Sequence, residues 1–401
     1  MNEKASTPTA AGHAFGLSPD QRQILDEADK WCRKEAYPLA QRMDDEEWWP
    51  EDIFLKIGEQ GYFGTTVPEE YGGVGLDFFT SGLVSQAMAR YNYALALSYI
   101  AHENLCLNNI YRNANDDLRR KYLPDLCSGK ATGALGLTEP GAGSDALGSM
   151  RTTARRDGGH YVLNGRKIYI TNGPVADTLL VYAKTAPERG AHGISAFIVQ
   201  RDYPGFSVAQ KLVKMGFRGS QTGELVFDDC RVPAENLVGA ENEGVAVVMS
   251  GLDLERAVIA PICLGMAERA LELSIEYAKT REQFGKPLAA FQMIQSKIAD
   301  MYTWVETMRT FCYRGLAEGN ELEVGGGGRG QYHALSAASI MYAANTLNLV
   351  LNEALQIHGG FGYMWEAEIN RLYRGNKLLE IGAGTTEVRK LIISRELLGK
   401  A

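Results

Sequence analysis

The sequence lacks most of the patterns that announce enzyme chemistry. It has six histidines and six cysteines, but no H-E-x-x-H, no C-x-x-C and no clustered His/Cys set, so a metal site has no support. There is no G-x-S-x-G elbow and no P-loop: FGKP and SGKA miss the upstream glycine and the Ser/Thr. The G-x-G of EPGAGSD has no strand–turn–helix unit around it, which excludes a Rossmann reading. No run of about 18 uncharged apolar residues is seen, so no membrane span is expected. A basic surface is missing too: 41 Lys and Arg against 49 Asp and Glu leave a formal charge of −8, which argues against nucleic-acid binding. The cysteines, Cys32, Cys106, Cys127, Cys230, Cys263 and Cys312, read as reduced thiols in the core or at the surface.

What is there is an ordinary globular composition. The chain has 401 residues, 45% hydrophobic and 22% charged, enough for two or three domains or one large composite. Residues 1–16 carry an early acid and no apolar h-region and read as a short disordered tail. Residues 17–130 read as helices, opening with Ser18 as N-cap and Pro19 in the first turn, and TSGLVSQAMARYNYALALSYIAHENLCLNNIYRNA reads as a buried helix pair. Residues 131–241 read as a compact antiparallel β unit, in which Asn164-Gly165 of HYVLNGRKIYITNG is the strongest hairpin signal. Residues 242–401 return to helix, with four glycines at 325–328 as a loop between two helices. Helices, then strands, then helices predict an α+β fold with segregated layers.

Within the last segment, SGLDLERAVIAPICLGM (250–266) places three charges among apolar residues. At 3.6 residues per turn, Leu252, Glu255, Ile259, Ile262 and Met266 share one stripe, and Asp253, Arg256, Ala260, Cys263 and Ala267 the next. Two readings are open. The charges form a buried network that positions the helix, or cap a polar end with Ser250. Alternatively, Glu255 is desolvated, its pKa is raised, and it serves as a general base for a weak acid.

Eight ordered motifs bear on the choice: VPEEYGGVGLD, LTEPGAGSDA, YITNGPVADTLLVYAKT, AFIVQRDYPGFSV, KMGFRGSQTGELVFDDCRVP, TREQFGKPLAAFQMIQSKIADM, QIHGGFGY and EIGAGTTEVRKLIISRELLG. Through them the chain resembles the acyl-CoA dehydrogenases from about residue 17 to 397. The isovaleryl-CoA branch is the nearest, by ALSYIAHENLC, SGLDLERAVIA and EIGAGTTEVR. The resemblance implies an N-terminal helical domain, a middle antiparallel β domain and a C-terminal four-helix bundle. It implies FAD, and a flavin-dependent α,β-dehydrogenation of an acyl thioester whose electrons pass to an electron-transfer flavoprotein.

Many members of that family carry the base in a Y-E-G-T-type segment. Here the segment is Gly382-Ala383-Gly384-Thr385, without a carboxylate there. In the isovaleryl and long-chain branches the base is the LDLER glutamate, which matches Glu255; Glu387 falls outside the family position. Thr138, Ser144 and Thr385 match cofactor contacts, Thr171 the contact near flavin N5, and Tyr169 stands where the family most often has Trp. Arg281, Phe284 and Gln292 match the adenosine and pyrophosphate end. Gln356 and Gly360 match a contribution from a neighbouring subunit, which implies a homotetramer. Asp253 and Arg256 match positions that hold the pantetheine and adenine parts of CoA. Gly382 and the N–H of Ala383 are implied to meet the thioester oxygen.

Leu97, Ala101 and Ile259 are candidates for the acyl chamber, Ile100 is a residue that would shorten it, and His358 reads as structural. An isovaleryl-like short acyl-CoA is the first substrate expected. The alternatives are a carrier-protein-bound acyl or prolyl group, a lyase or desulfinase on the same fold, and an FAD-stabilised scaffold. The location expected is cytoplasmic for a bacterial chain, or the mitochondrial matrix for a eukaryotic one.

Overall fold

The computed structural model describes residues 16–322 and 328–399. The expected tail therefore lies outside the described residues apart from Gly16, as do three of the four glycines at 325–328.

The chain begins with α1 (Pro19–Trp31), one π-helical segment (Cys32–Ala36) and α2 (Tyr37–Glu46). Ser18 and Gln21 form a reciprocal capping box with Pro19 in the first turn, which satisfies two orphan donors at the helix start. After α3 (Ile53–Glu59) comes α4 (Phe78–Ile100), a second π segment (Ala101–Leu107), α5 (Asn108–Asn113) and α6 (Asp116–Cys127). The expected helix pair is thus one kinked rod. At the kink Asn92 is non-helical (φ −149°); its amide donates to Ala36 O at 3.1 Å and its carbonyl accepts from Leu95 N at 3.1 Å.

Strands β1 (Gly133–Gly136), β2 (Thr153–Asp157), β3 (His160–Thr171), β4 (Thr178–Lys184), β5 (Ile194–Gln200), β6 (Phe206–Lys211), β7 (Thr222–Pro233) and β8 (Leu237–Val238) form one sheet. Its order is β6-β7-β3-β2-β4-β5-β8, with β1 added beside β4. The expected antiparallel unit is in fact mixed, because β1 and β2 both run parallel to β4.

The Asn164-Gly165 hairpin is also corrected. Both residues lie inside β3, and the tight turn into that strand is Gly158-Gly159, between the paired Asp157 and His160. Asn164 instead braces an irregularity opposite β7: its side chain donates to Asp229 Oδ1 at 3.0 Å and accepts from Asp229 N at 2.9 Å.

The last part contains α7 (Gly244–Thr280), a two-stranded β9 (Glu282–Gln283) and β10 (Lys286–Pro287), α8 (Gln292–Asn320), α9 (Gln331–Gly362), α10 (Glu368–Ile381) and α11 (Thr386–Leu398). This is the expected C-terminal helical domain, with five helices among the described residues. α7 is apolar on nearly every face because it is enclosed by α4, α8 and α9, as such composition requires. Ser250 is not a cap but lies within α7, bonding back to Val247 O at 2.9 Å. α9 is long and apolar enough to cross a membrane by length and composition, contrary to the sequence reading; most of its apolar window is buried in the bundle, as a core helix would be. All six cysteines are free and buried.

α4 and α7 touch backbone to backbone at Gly265, where a Cβ would come within 2.2 Å of Gln86 O. Gly265→Ala must push the two helices apart and is expected to cost about 1–3 kcal/mol. Urea denaturation would show it as a lower midpoint with unchanged slope.

Candidate active site

Glu255 is on the enclosed middle of α7 and is only 8% exposed. Among the described residues no donor is paired with its carboxylate. Burial raises its pKa to about 7, although the charges of Arg256 and Arg389 both oppose the rise. A carboxyl group poised near neutrality, dry and unbonded, is what proton abstraction at neutral pH requires.

Its neighbour Asp253 is arranged the opposite way. It is fully enclosed and accepts from Arg256 Nη1 at 3.0 Å, His333 Nδ1 at 2.6 Å and Gly328 N at 2.6 Å. Burial would raise its pKa, but the hydrogen bonds from His333 and Gly328 and the charges of His333 and Arg256 hold it below the usual carboxylate range. Asp253 is therefore a member of an internal network. Asp253 and Arg256 form a buried network, and Glu255 stays outside it.

Arg256 continues the network by donating through Nε to Ala383 O at 3.2 Å. The 382–385 segment is the turn between α10 and α11. Gly382 caps α10 through its N–H to Leu378 O at 2.7 Å, and Thr385 caps α11 by accepting from Val388 N at 3.3 Å. Between them Ala383 (φ +54°) and Gly384 (φ +93°) are left-handed; for alanine this is strained backbone that only a surrounding framework maintains.

The expected flavin residues fall into two groups. The first lies on β3 and the loop after β1. Thr138 O accepts from Ile168 N at 2.9 Å, and the buried Lys167 ammonium bonds Leu137 O at 3.0 Å and Glu139 at 2.8 Å. Glu139 also accepts from the backbone N–H groups of Arg151 and Thr152, so both ends of the loop carrying Ser144 are pinned. Ser144 is exposed, and Cβ atoms added at Gly141 or Gly143 would meet nothing. A second register shift, between Lys167 and Ile170, puts Tyr169 at φ +61° with 67% of its surface exposed. Bulges re-aim side chains in this way beside functional sites. Thr171 follows, half-buried. Next to it Asn172 donates to Ser98 O at 2.8 Å and Gly133 O at 3.1 Å, locking the end of β3 to α4, where Leu97 (half-buried) and Ile100 (buried) sit, with the buried Ala101 opening the π segment that follows. Ile259, one turn along from Glu255 on α7, is buried as well.

The second group is at the far end of α7. Arg281 caps that helix, Phe284 turns the β9–β10 hairpin at φ +53° and is 92% exposed, and Gln292 opens α8. Tyr277 stacks on His358 at 4.5 Å and Phe361 at 6.1 Å, which brings the exposed Gln356 and Gly360 of α9 to the same end. Glu255 and Arg281 belong to one helix, about 39 Å apart along its axis.

The sequence reading missed four residues of this arrangement. Asn172 and His333 carried no signal, and neither did Tyr182, a phenol that burial first, and the charge of Glu255 last, keep neutral. Arg389 did carry one: it is a charge at helical spacing from Ile392 and Ile393.

A desolvated carboxylate on a central helix packed against the β domain, with helical parts on either side in sequence, is an arrangement that suits the acyl-CoA dehydrogenases. Models of the acyl-CoA dehydrogenase N-terminal, middle and C-terminal domains match residues 18–130, 134–230 and 242–398, and the chain belongs to that family. It is similar to the mitochondrial isovaleryl-CoA dehydrogenase of Pongo abelii, 44% identical over 95% of this chain and 89% of that one. Butyryl-CoA dehydrogenase from Megasphaera elsdenii has a similar structure, with TM-score 0.91, 36% identity, and coverage of 96% of this chain and 99% of that one. So does an FAD complex of PigA, with TM-score 0.89, 30% identity, and coverage of 96% and 98%.

Linkage gives a direct check on Glu255. Its folded pKa near 7 lies above the unfolded carboxylate value, so its contribution to stability is whole at low pH and is lost as pH rises through 7. Glu255→Gln is expected to match the natural chain in stability near pH 4 and to exceed it at pH 8, by at most about 3 kcal/mol. Chemical denaturation at both pH values reads the difference. An equal gap at both would mean that Glu255 is not a desolvated carboxylate.

Proposed function

We propose that this protein removes two hydrogens across Cα and Cβ of a short, branched acyl-CoA thioester, isovaleryl-CoA first among them, to leave the trans-2-enoyl thioester. The observation that carries the proposal is Glu255: a buried carboxyl without a hydrogen bond, pushed to about 7, beside a turn whose backbone is held by two arginines. Similarity to an isovaleryl-CoA dehydrogenase supports the acyl group, and the buried Ile100, Ala101 and Ile259 suit a short chain.

The residues present fit FAD. Gly141 and Gly143 leave open space for a group to lie against the backbone, and Tyr169 and Phe284 are large aromatic surfaces awaiting cover. Thr138, Ser144, Tyr169, Thr171 and Thr385 would hold the flavin end, and Arg281, Phe284, Gln292, Gln356 and Gly360 the adenosine end. When bound, FAD supplies the acceptor for the β-hydrogen as hydride. Glu255 takes the α-proton, and its dry setting keeps it basic. The Ala383 N–H stabilises the charge that then develops on the thioester oxygen. Arg256 holds Ala383 from behind while Asp253 keeps Arg256 in place.

An extended FAD is shorter than the span from Glu255 to Arg281, so the two residue groups serve one cofactor only if two copies of the chain meet. A homotetramer satisfies this, with an electron-transfer flavoprotein as the oxidant that returns the cofactor to its starting state.

Anaerobic mixing of the FAD-loaded protein with isovaleryl-CoA is expected to bleach the flavin. Glu255→Gln should keep FAD and slow bleaching by at least about 10²–10⁴-fold. Bleaching at the full rate in that variant removes Glu255 as the base, and bleaching by no acyl-CoA in the natural chain removes the substrate class.

A further inference from the structure

Arg389 is the largest fully buried side chain in the described protein. It stands on the first turn of α11, and its guanidinium has one partner, Gly382 O, to which Nη2 donates. Nε and Nη1 have none. A buried guanidinium with two idle donors is costly to keep, so its place needs a reason beyond packing. The charged and titratable groups that face it are Cys263, Arg256 and Glu255 from α7 and Glu380 from α10.

The partner identifies that reason. No peptide bond among the described residues is cis, so the C=O of residue 382 and the N–H of residue 383 point in opposite directions across one rigid plane. A donor that grips Gly382 O from the core side fixes the Ala383 N–H on the opposite face. The same holds one step later, where Arg256 grips Ala383 O at 3.2 Å and so sets the N–H of Gly384. Among the described residues neither of these two N–H groups has an acceptor. A charged donor on a carbonyl also polarises that amide and makes its N–H the better donor.

We propose that Arg389 is a positioning residue: it aims and polarises the Ala383 N–H toward the thioester oxygen by holding the carbonyl of Gly382 from behind. It never touches substrate. It works together with Arg256 to hold Ala383 in a left-handed conformation (φ +54°) that the free turn would leave. The inference rests on the reading of Ala383 as the thioester's donor, but not on Glu255 as the base.

The test separates the two. Acetoacetyl-CoA is an enolisable thioester whose enolate is read from the near-ultraviolet difference spectrum, without turnover. It is bound to FAD-loaded protein in a Glu255→Gln background, so that the base plays no part, and titrated with pH. Adding Arg389→Met is expected to raise the apparent pKa of the bound ligand, leaving about tenfold less enolate at a given pH, a fraction of what a lost oxyanion donor costs. Arg389→Lys, which keeps the charge but not the planar fork, should lose about threefold. Unchanged enolate in a folded, FAD-loaded Arg389→Met overturns the proposal. Should that variant not fold, unchanged enolate in Arg389→Lys overturns it. Full turnover in Glu255→Gln alone would sink the base assignment and leave this inference standing.

Discussion

One constraint governs the arrangement: a carboxylate is held out of water without a hydrogen bond. Glu255 can be dry because α7 is enclosed along its length by α4, α8 and α9, and α7 can be enclosed because nearly all its residues are apolar. Desolvation alone drives a carboxyl far upward, to where it would be protonated and useless as a base. The charges of Arg256 and Arg389 counter it and leave the group near neutrality. Neither arginine bonds the carboxylate, which would pin and quench it. Each is bound elsewhere, to Asp253 and Ala383 O in one case and to Gly382 O in the other.

That division also accounts for Asp253. A guanidinium beside a buried base is itself a desolvated charge and must be satisfied. Asp253 does this for Arg256, and is in turn satisfied by His333 from α9 and the N–H of Gly328. The two carboxylates lie two residues apart on one helix and differ in fate because their neighbours differ. One has several donors and is held ionised; the other has none among the described residues and is free to exchange a proton.

Where residues interact with their sequence neighbours, the chain was legible. Ser18 and Gln21 cap α1 as their spacing requires, and the stripes of α7 follow from its period. Asn164-Gly165 shows where that logic stops. The dipeptide suits a type I′ turn, but Asp229 opposite supplies a better partner for the asparagine, and Gly158-Gly159 makes the turn instead. Ser250 lost its capping role for a similar reason, since α7 starts earlier at Gly244 with no side-chain cap. The bulge at Tyr169 exists only in the register between β3 and β7, which no local pattern encodes. Arg389 was visible as a charge at helical spacing from Ile392 and Ile393, yet its partner, seven residues back across a turn, depends on the angle between α10 and α11.

The turn between those helices is where both arginines meet, and this explains why an alanine can occupy its left-handed position. A glycine would adopt φ +54° without strain, but it would also leave that conformation easily, and the N–H it carries would wander. Alanine costs of order 1 kcal/mol there and narrows the alternatives. The strain is offset by two charged donors on consecutive carbonyls, 382 and 383. These are the same cations that restrain the pKa of Glu255. The pKa of Glu255 and the geometry of the 382–384 turn are therefore coupled through shared charges, and a change at either arginine must move both.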